Sequence, residues 1–108
     1  MLRSSITVFI EYRIDPQKQS AFFKNLPALR GATKSAGKGI DHEIMEGIDQ
    51  PGLIVEVIQV GDMNTYEQLK AMRQSGNGIM GDVAKTIHGG SSRVNVWAFQ
   101  PVEGMSKN

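Results

Sequence analysis

The feature that most constrains this chain is the alternation in residues 5–14, SITVFIEYRI. Ile6, Val8, Ile10, Tyr12 and Ile14 fall on one face, and Thr7, Phe9, Glu11 and Arg13 on the other. A period of two is the pattern of a strand with one face toward a core. The same period returns in residues 40–48, IDHEIMEGI, where Ile40, His42, Ile44, Glu46 and Ile48 share a face. Residues 53–60, LIVEVIQV, are apolar on both faces except at Glu56 and Gln59, as in a strand covered on both sides. The turn signal Asp49-Gln50-Pro51-Gly52 joins these two runs into a predicted hairpin. A fourth strand is read over 92–100, SRVNVWAFQ, with Val94, Val96 and Ala98 on one face.

Helical periodicity fills the two longer intervals. Asp15-Pro16 reads as an N-cap followed by proline at the first helical position. Phe22, Phe23, Leu26 and Leu29 form the apolar stripe, and Pro27 is expected to kink or end that helix early. Residues 31–39, GATKSAGKG, read as a flexible connection. Asn64 as N-cap with Glu67 three residues on predicts a capping box for a second helix, continued by Tyr66, Leu69 and Met72 or Arg73. Ser75-Gly76-Asn77-Gly78 interrupts it, Ile79, Val83 and Ile87 resume it, and Gly89-Gly90 ends it. The order is β-α-β-β-α-β. The fold class expected is therefore α+β, a ferredoxin-like sandwich with an antiparallel four-stranded sheet and two helices on one face.

The chain has 108 residues, enough for a single modest core, here assigned to residues 1–102 with a polar tail over 103–108. A net charge of +1 predicts neither a nucleic-acid partner nor an anionic membrane surface. The absence of cysteine excludes disulfides, thiolate metal sites and cysteine nucleophiles, and fits a cytoplasmic protein. No apolar run approaches the roughly 20 residues of a membrane span, and the N-terminal stretch reads as a strand rather than a signal peptide.

The sheet face turned away from the helices is predicted to carry Thr7, Phe9 and Glu11; Ile54, Glu56 and Ile58; and Arg93, Asn95, Trp97 and Phe99. So many large apolar side chains on one open face mark an interface. A homodimer through that face is the expected partner arrangement, with Glu11, Glu56 and Arg93 pairing inside it.

The β-α-β-β-α-β order, the helix opening MNTYEQLKAMR (63–73) and the ending GGSSRVNVWAFQPV (89–102) resemble the dimeric α+β barrel superfamily, and within it the antibiotic biosynthesis monooxygenase-like group. The resemblance covers nearly the whole chain. It implies two sheets forming a shared barrel, a pocket between helices and sheet in each subunit, and a cofactor-independent oxidation of small aromatic or polycyclic phenols to quinones. Asn64, Tyr66 and Arg93 are of the types that the quinone-forming members place around their pocket. Other members degrade haem, with an Asn on the first strand and a Trp and a His on the second helix. Here the first strand has no Asn and the only Trp is Trp97, so His88 alone matches that pattern.

The candidate chemistry follows from which side chains could meet there. Tyr12, His42, Glu46 and Tyr66 are the candidate catalytic set: a His, a Glu and a Tyr around an apolar cavity could bind and deprotonate a phenol. Asn64, Met72 and His88 complete the expected substrate lining. Each has a plainer reading. His42 and Glu46 would also suit an edge strand guarded against aggregation. His88 would suit a helix C-terminus, where the dipole favours a cation. Tyr66 would also suit ordinary packing. Two histidines 46 positions apart make no recognised metal spacing, so no metal and no cofactor is expected. The spelling GNGIMG (76–81) fits G-x-G-x-x-G but follows no strand, and reads as a helix break. The competing function is a non-catalytic ligand-binding or structural homodimer. In that case Phe22, Phe23, Leu69, Met72 and Met80 would fill the space between helices and sheet.

Overall fold

The computed structural model describes residues 5–102, so the tail assigned to 103–108 lies outside the described residues. Strands β1 (Ile6–Arg13), β2 (Asp41–Glu46), β3 (Leu53–Val60) and β4 (Asn95–Phe99) form one sheet in the order β2-β3-β1-β4. Every neighbouring pair is antiparallel. Helix α1 (Gln19–Lys34) connects β1 to β2, and α2 (Met63–Ser75) and α3 (Ile79–Ala84) connect β3 to β4. The helices pack on the sheet, giving the ferredoxin-like α+β architecture that the alternation implied.

The register decides which residues reach the core. Ile10 pairs with Glu56, Tyr12 with Ile54, and Val8 with both Ile58 and Ala98. Cross-strand partners share a face, so Ile54, Glu56 and Ile58 lie on the same side as Ile10 and Tyr12. All three are buried. This corrects the expected phase of the third strand: Leu53, Val55, Val57 and Gln59 face the open side instead. Glu56 therefore does not join Glu11 and Arg93 on that side. Arg93 is not on the last strand either, since it closes a 3-10 turn over Ser91–Arg93 that precedes β4.

The helix boundaries also differ from expectation in ways with local causes. Asp15 caps a short 3-10 turn, Pro16–Lys18, by accepting from the Gln17 N–H at 3.0 Å. Helix α1 then runs straight through Pro27 and on to Lys34, across part of the stretch expected to be a flexible connection. Proline removes the bond to the Phe23 carbonyl, but both Phe23 and Pro27 are exposed, so the freed carbonyl lies on the solvent side of the helix. Meanwhile Phe22, Leu29 and Thr33 hold the other face in the core. Helix α2 is capped by Asp62, whose Oδ1 accepts from the Thr65 N–H at 2.7 Å. Asn64 is exposed one residue inside that helix, and no capping box forms through Glu67. Gly76, in the left-handed region at φ 72°, ends α2. Helix α3 stops at Ala84, well before Gly89-Gly90. Ile14 bridges to Ile87, which ties the segment after α3 to the end of β1.

The core is the layer between sheet and helices: Ile6, Val8, Ile10, Ile54, Ile58 and Val60 from the strands, and Phe22, Leu29, Leu69, Met80 and Val83 from the helices. Tyr12 meets Phe22 edge-to-face with ring centroids 6.0 Å apart. Among the described residues, no helix is long and apolar enough to cross a membrane.

Candidate functional site

A charged network lies inside that apolar layer. Glu56, at the centre of β3, is fully buried. Its Oε2 accepts from the Tyr12 hydroxyl at 2.6 Å and from Arg73 Nε at 3.2 Å. Its Oε1 meets His42 Nε2 at 2.7 Å and an Arg73 terminal nitrogen at 2.5 Å. The same Arg73 nitrogen donates to Thr33 Oγ1 at 2.6 Å, and that hydroxyl donates to the Leu29 carbonyl at 2.8 Å. β1, β2, β3, α1 and α2 therefore each place one residue in the cluster. The sheet register aligns Tyr12, His42 and Glu56 on the core face, and α2 carries Arg73 down onto them.

The electrostatics follow from this geometry. Burial alone would raise the Glu56 carboxyl, but the His42 hydrogen bond, the Arg73 charge and its hydrogen bonds, and the Tyr12 hydroxyl outweigh it. Together they hold the group at about 2 rather than 4.5. Glu56 is thus an anion. Burial first, then the Glu56 charge and hydrogen bond, push the Tyr12 phenol far above its ordinary value, with only Arg73 opposing. Tyr12 stays neutral and donates. Because an ionised carboxylate can only accept, His42 Nε2 must carry the hydrogen it shares with Glu56. The other ring nitrogen, Nδ1, is buried and has no hydrogen-bond partner among the described residues.

The remaining sequence-selected residues lie elsewhere. Glu46 is exposed, and its Oε2 accepts from the Gly52 N–H at 2.8 Å, closing the β2–β3 hairpin rather than joining Tyr12 and His42. Tyr66 is half-buried and packs against the core. Asn64 is exposed at the start of α2, and Met72 Sδ lies 3.6 Å from Arg73 Nη1. His88 is exposed in the loop after α3, where its N–H donates to the Arg13 carbonyl at 2.8 Å. Of the four candidate catalytic residues, the structure brings together Tyr12 and His42. The group that joins them, Glu56, and its partners Arg73 and Thr33 were not among the candidates. The available signal was the lone charge inside LIVEVIQV: a carboxylate in a strand covered on both faces calls for a buried cation. Arg73, on the apolar stripe of α2, supplies it. Among the described residues, no group of three His, Asp or Glu side chains could hold a metal ion.

Solved structures share this architecture. A "Putative antibiotic biosynthesis monooxygenase" of Bordetella bronchiseptica superposes with a TM-score of 0.73 at 13% identity, covering 93% of this chain and 99% of its own. The fold is that of the antibiotic biosynthesis monooxygenase-like proteins. A protein of the same description from Nitrosomonas europaea gives a TM-score of 0.71 at 9% identity, over 94% of both chains. Another from Caulobacter crescentus gives 0.69 at 14%, over 93% of this chain and 92% of its own. At these identities the likeness is one of fold. No protein-family model matches the chain, and no curated protein matches it in sequence.

Proposed function

We propose that the protein is a cofactor-independent monooxygenase-like protein acting on a small phenolic substrate held between helices and sheet, with His42 as the base. The observation that carries this reading is the His42–Glu56 pair. An imidazole anchored through Nε2 to an ionised carboxylate, with Nδ1 left without a partner, is arranged to accept a proton at Nδ1. A phenol placed at Nδ1 would give up its proton there, and the electron-rich phenolate would react with oxygen. Phenol plus O2 gives quinone plus water, so the step balances without a further reductant. Glu56 acts here as a positioning residue for His42.

Oxygen uptake over a panel of mono- and polycyclic phenols tests the reading. His42→Gln should lower kcat at least 100-fold while phenol binding persists, in the range a general base contributes. Uptake by no phenol that binds, or an unimpaired His42→Gln, would sink it.

A second reading has its own support. Phe22, Leu69 and Met80 are buried between helices and sheet, although Phe23 is exposed and Met72 only half-buried. Together with the enclosed Glu56 network they occupy the layer where a substrate would sit. A non-catalytic dimer is the corresponding function, and failure of every phenol to bind would favour it.

Both readings include a homodimer through the open sheet face. Phe9 and Phe99 stack edge-to-face there with centroids 5.5 Å apart, and Trp97 and Phe99 are 46% and 56% exposed. With Val55 and Glu11 they line a depression of about 410 Å³. An apolar face of this kind is covered most simply by its two-fold copy. Light scattering should return twice the chain mass of 11.8 kDa, and Trp97→Glu should return it to the monomer. A monomeric wild type would remove the dimer from both readings.

A further inference from the structure

Beyond the apolar patch, at the end of the open face where β1 finishes and β3 and β4 begin, lies a cleft of about 500 Å³. It is separate from the His42–Glu56 site, which is on the opposite side of the sheet. Arg13 from β1, His88 from the loop after α3 and Arg93 from the turn before β4 line it, with Glu11 and Asn95. We propose that this cleft binds a metabolite-sized anion through a phosphate or carboxylate group, gripped by Arg13 and Arg93.

The argument begins with charge. Two guanidiniums face one carboxylate in the lining. Among the described residues, the ion pairs are those of Glu56 with His42 and Arg73, so neither Arg13 nor Arg93 has a salt-bridge partner there. Guanidinium groups match the two-oxygen edge of a carboxylate or phosphate and bind it through paired N–H donors.

The second point is that both arginine side chains, although exposed, make defined contacts. Gln50 Oε1 accepts from Arg13 at 3.1 Å. Arg93 lies across Gly89: a Cβ on that residue would stand 2.5 Å from Arg93 Cγ and 3.2 Å from its Nε. Gly89 also has φ 89°, a conformation other residues rarely adopt. The glycine therefore provides both the turn and the space through which the Arg93 stem reaches the cleft. The His88 N–H bond to the Arg13 carbonyl ties the two walls together. Pre-positioned donors lose less freedom on binding than mobile ones.

The third point is size. A cleft of 500 Å³ exceeds the needs of an inorganic ion and falls in the range of small-molecule sites. Glu11 and Asn95, on the same lining, are acceptors suited to a hydroxyl or amino group on the remainder of the ligand. The ligand class is thus a polar small molecule with one oxyanion and at least one hydrogen-bond donor.

Titration calorimetry of the full chain with inorganic phosphate and with succinate, against chloride at equal ionic strength, tests this. Wild type should bind at least one of the two oxyanions, and Arg13→Ala and Arg93→Ala should each weaken that binding tenfold or more. Both residues are exposed, so the variants should keep the wild-type circular dichroism. His42→Gln should bind the anion as wild type does. Equal binding by wild type and the Arg13→Ala/Arg93→Ala double variant would overturn the proposal. So would a wild type that binds neither anion while the double variant changes mass in light scattering, because the arginines would then serve a carboxylate of a second copy.

Discussion

Replacing Glu56 by alanine should destabilise the protein by about 3–5 kcal/mol, the usual cost of removing one partner from a buried ion pair. The loss has three parts. The Arg73 guanidinium would remain fully buried with only Thr33 and the weak Met72 sulfur contact as partners. The Tyr12 hydroxyl would lose its acceptor, and His42 Nε2 would lose its partner. Domains of this size have total stabilities of about 5–15 kcal/mol, so the variant would approach the threshold of folding. In thermal denaturation the midpoint should fall by roughly 12–25 °C. Tyr12→Phe removes one of several donors and leaves the others in place, so it should cost only about 1 kcal/mol. A double change, Glu56→Leu with Arg73→Met, removes both charges and should recover much of the loss of either single change, a coupling expected of a buried pair. A Glu56→Ala protein melting within about 5 °C of wild type would show that the network is not what holds α2 to the sheet.

This network also marks the limit of what could be read from the sequence. Strand β1 was legible because its faces differ: Ile6, Val8, Ile10 and Tyr12 against Thr7, Phe9 and Glu11. Strand β3 was legible as a strand but not in phase. Leu53, Val55 and Val57 are as apolar as Ile54 and Ile58, so alternation gives no preference, and a carboxylate at Glu56 suggests the outward face. The phase is set by pairing: Ile10 opposite Glu56 and Tyr12 opposite Ile54. A one-residue slip exchanges the faces entirely, and for this reason the alternation alone places Glu56 with Glu11 and Arg93 rather than with Tyr12 and His42. The same ambiguity affected α2, where Met72 and Arg73 competed for the apolar stripe. Arg73 takes the buried position because Glu56 is beneath it. Thr33 was lost in a stretch rich in Gly, Ser and Lys, yet it anchors the guanidinium. Glu46 failed to join the site because β2 ends there and its carboxylate is engaged by the Gly52 N–H of the hairpin. Local periodicity thus identified the elements, while the site depended on long-range partners that periodicity does not encode.

The acid side of the stability curve should show the same carboxylate. Its folded value, about 2, lies below the ordinary 4.5. For a group depressed on folding, the unfolded chain binds the proton more readily, so stability is present above the unfolded value and is lost as pH falls toward the folded one. The window is therefore about pH 4.5 down to about 2, and the contribution lost is on the order of 3 kcal/mol. Wild type should be compared with Glu56→Gln, whose side chain resembles the protonated acid, so that contributions from the rest of the chain cancel. Urea unfolding at neutral pH should find the variant weaker by about that amount, and the gap should close as pH falls through the window. Tyr12 bounds the other end: its phenol is raised on folding, so its contribution is complete below 10.0 and is lost only above it. A gap that stays constant from pH 7 to pH 3 would mean that Glu56 carries no depressed proton affinity. The Arg73 and His42 contacts would then not be acting on its charge.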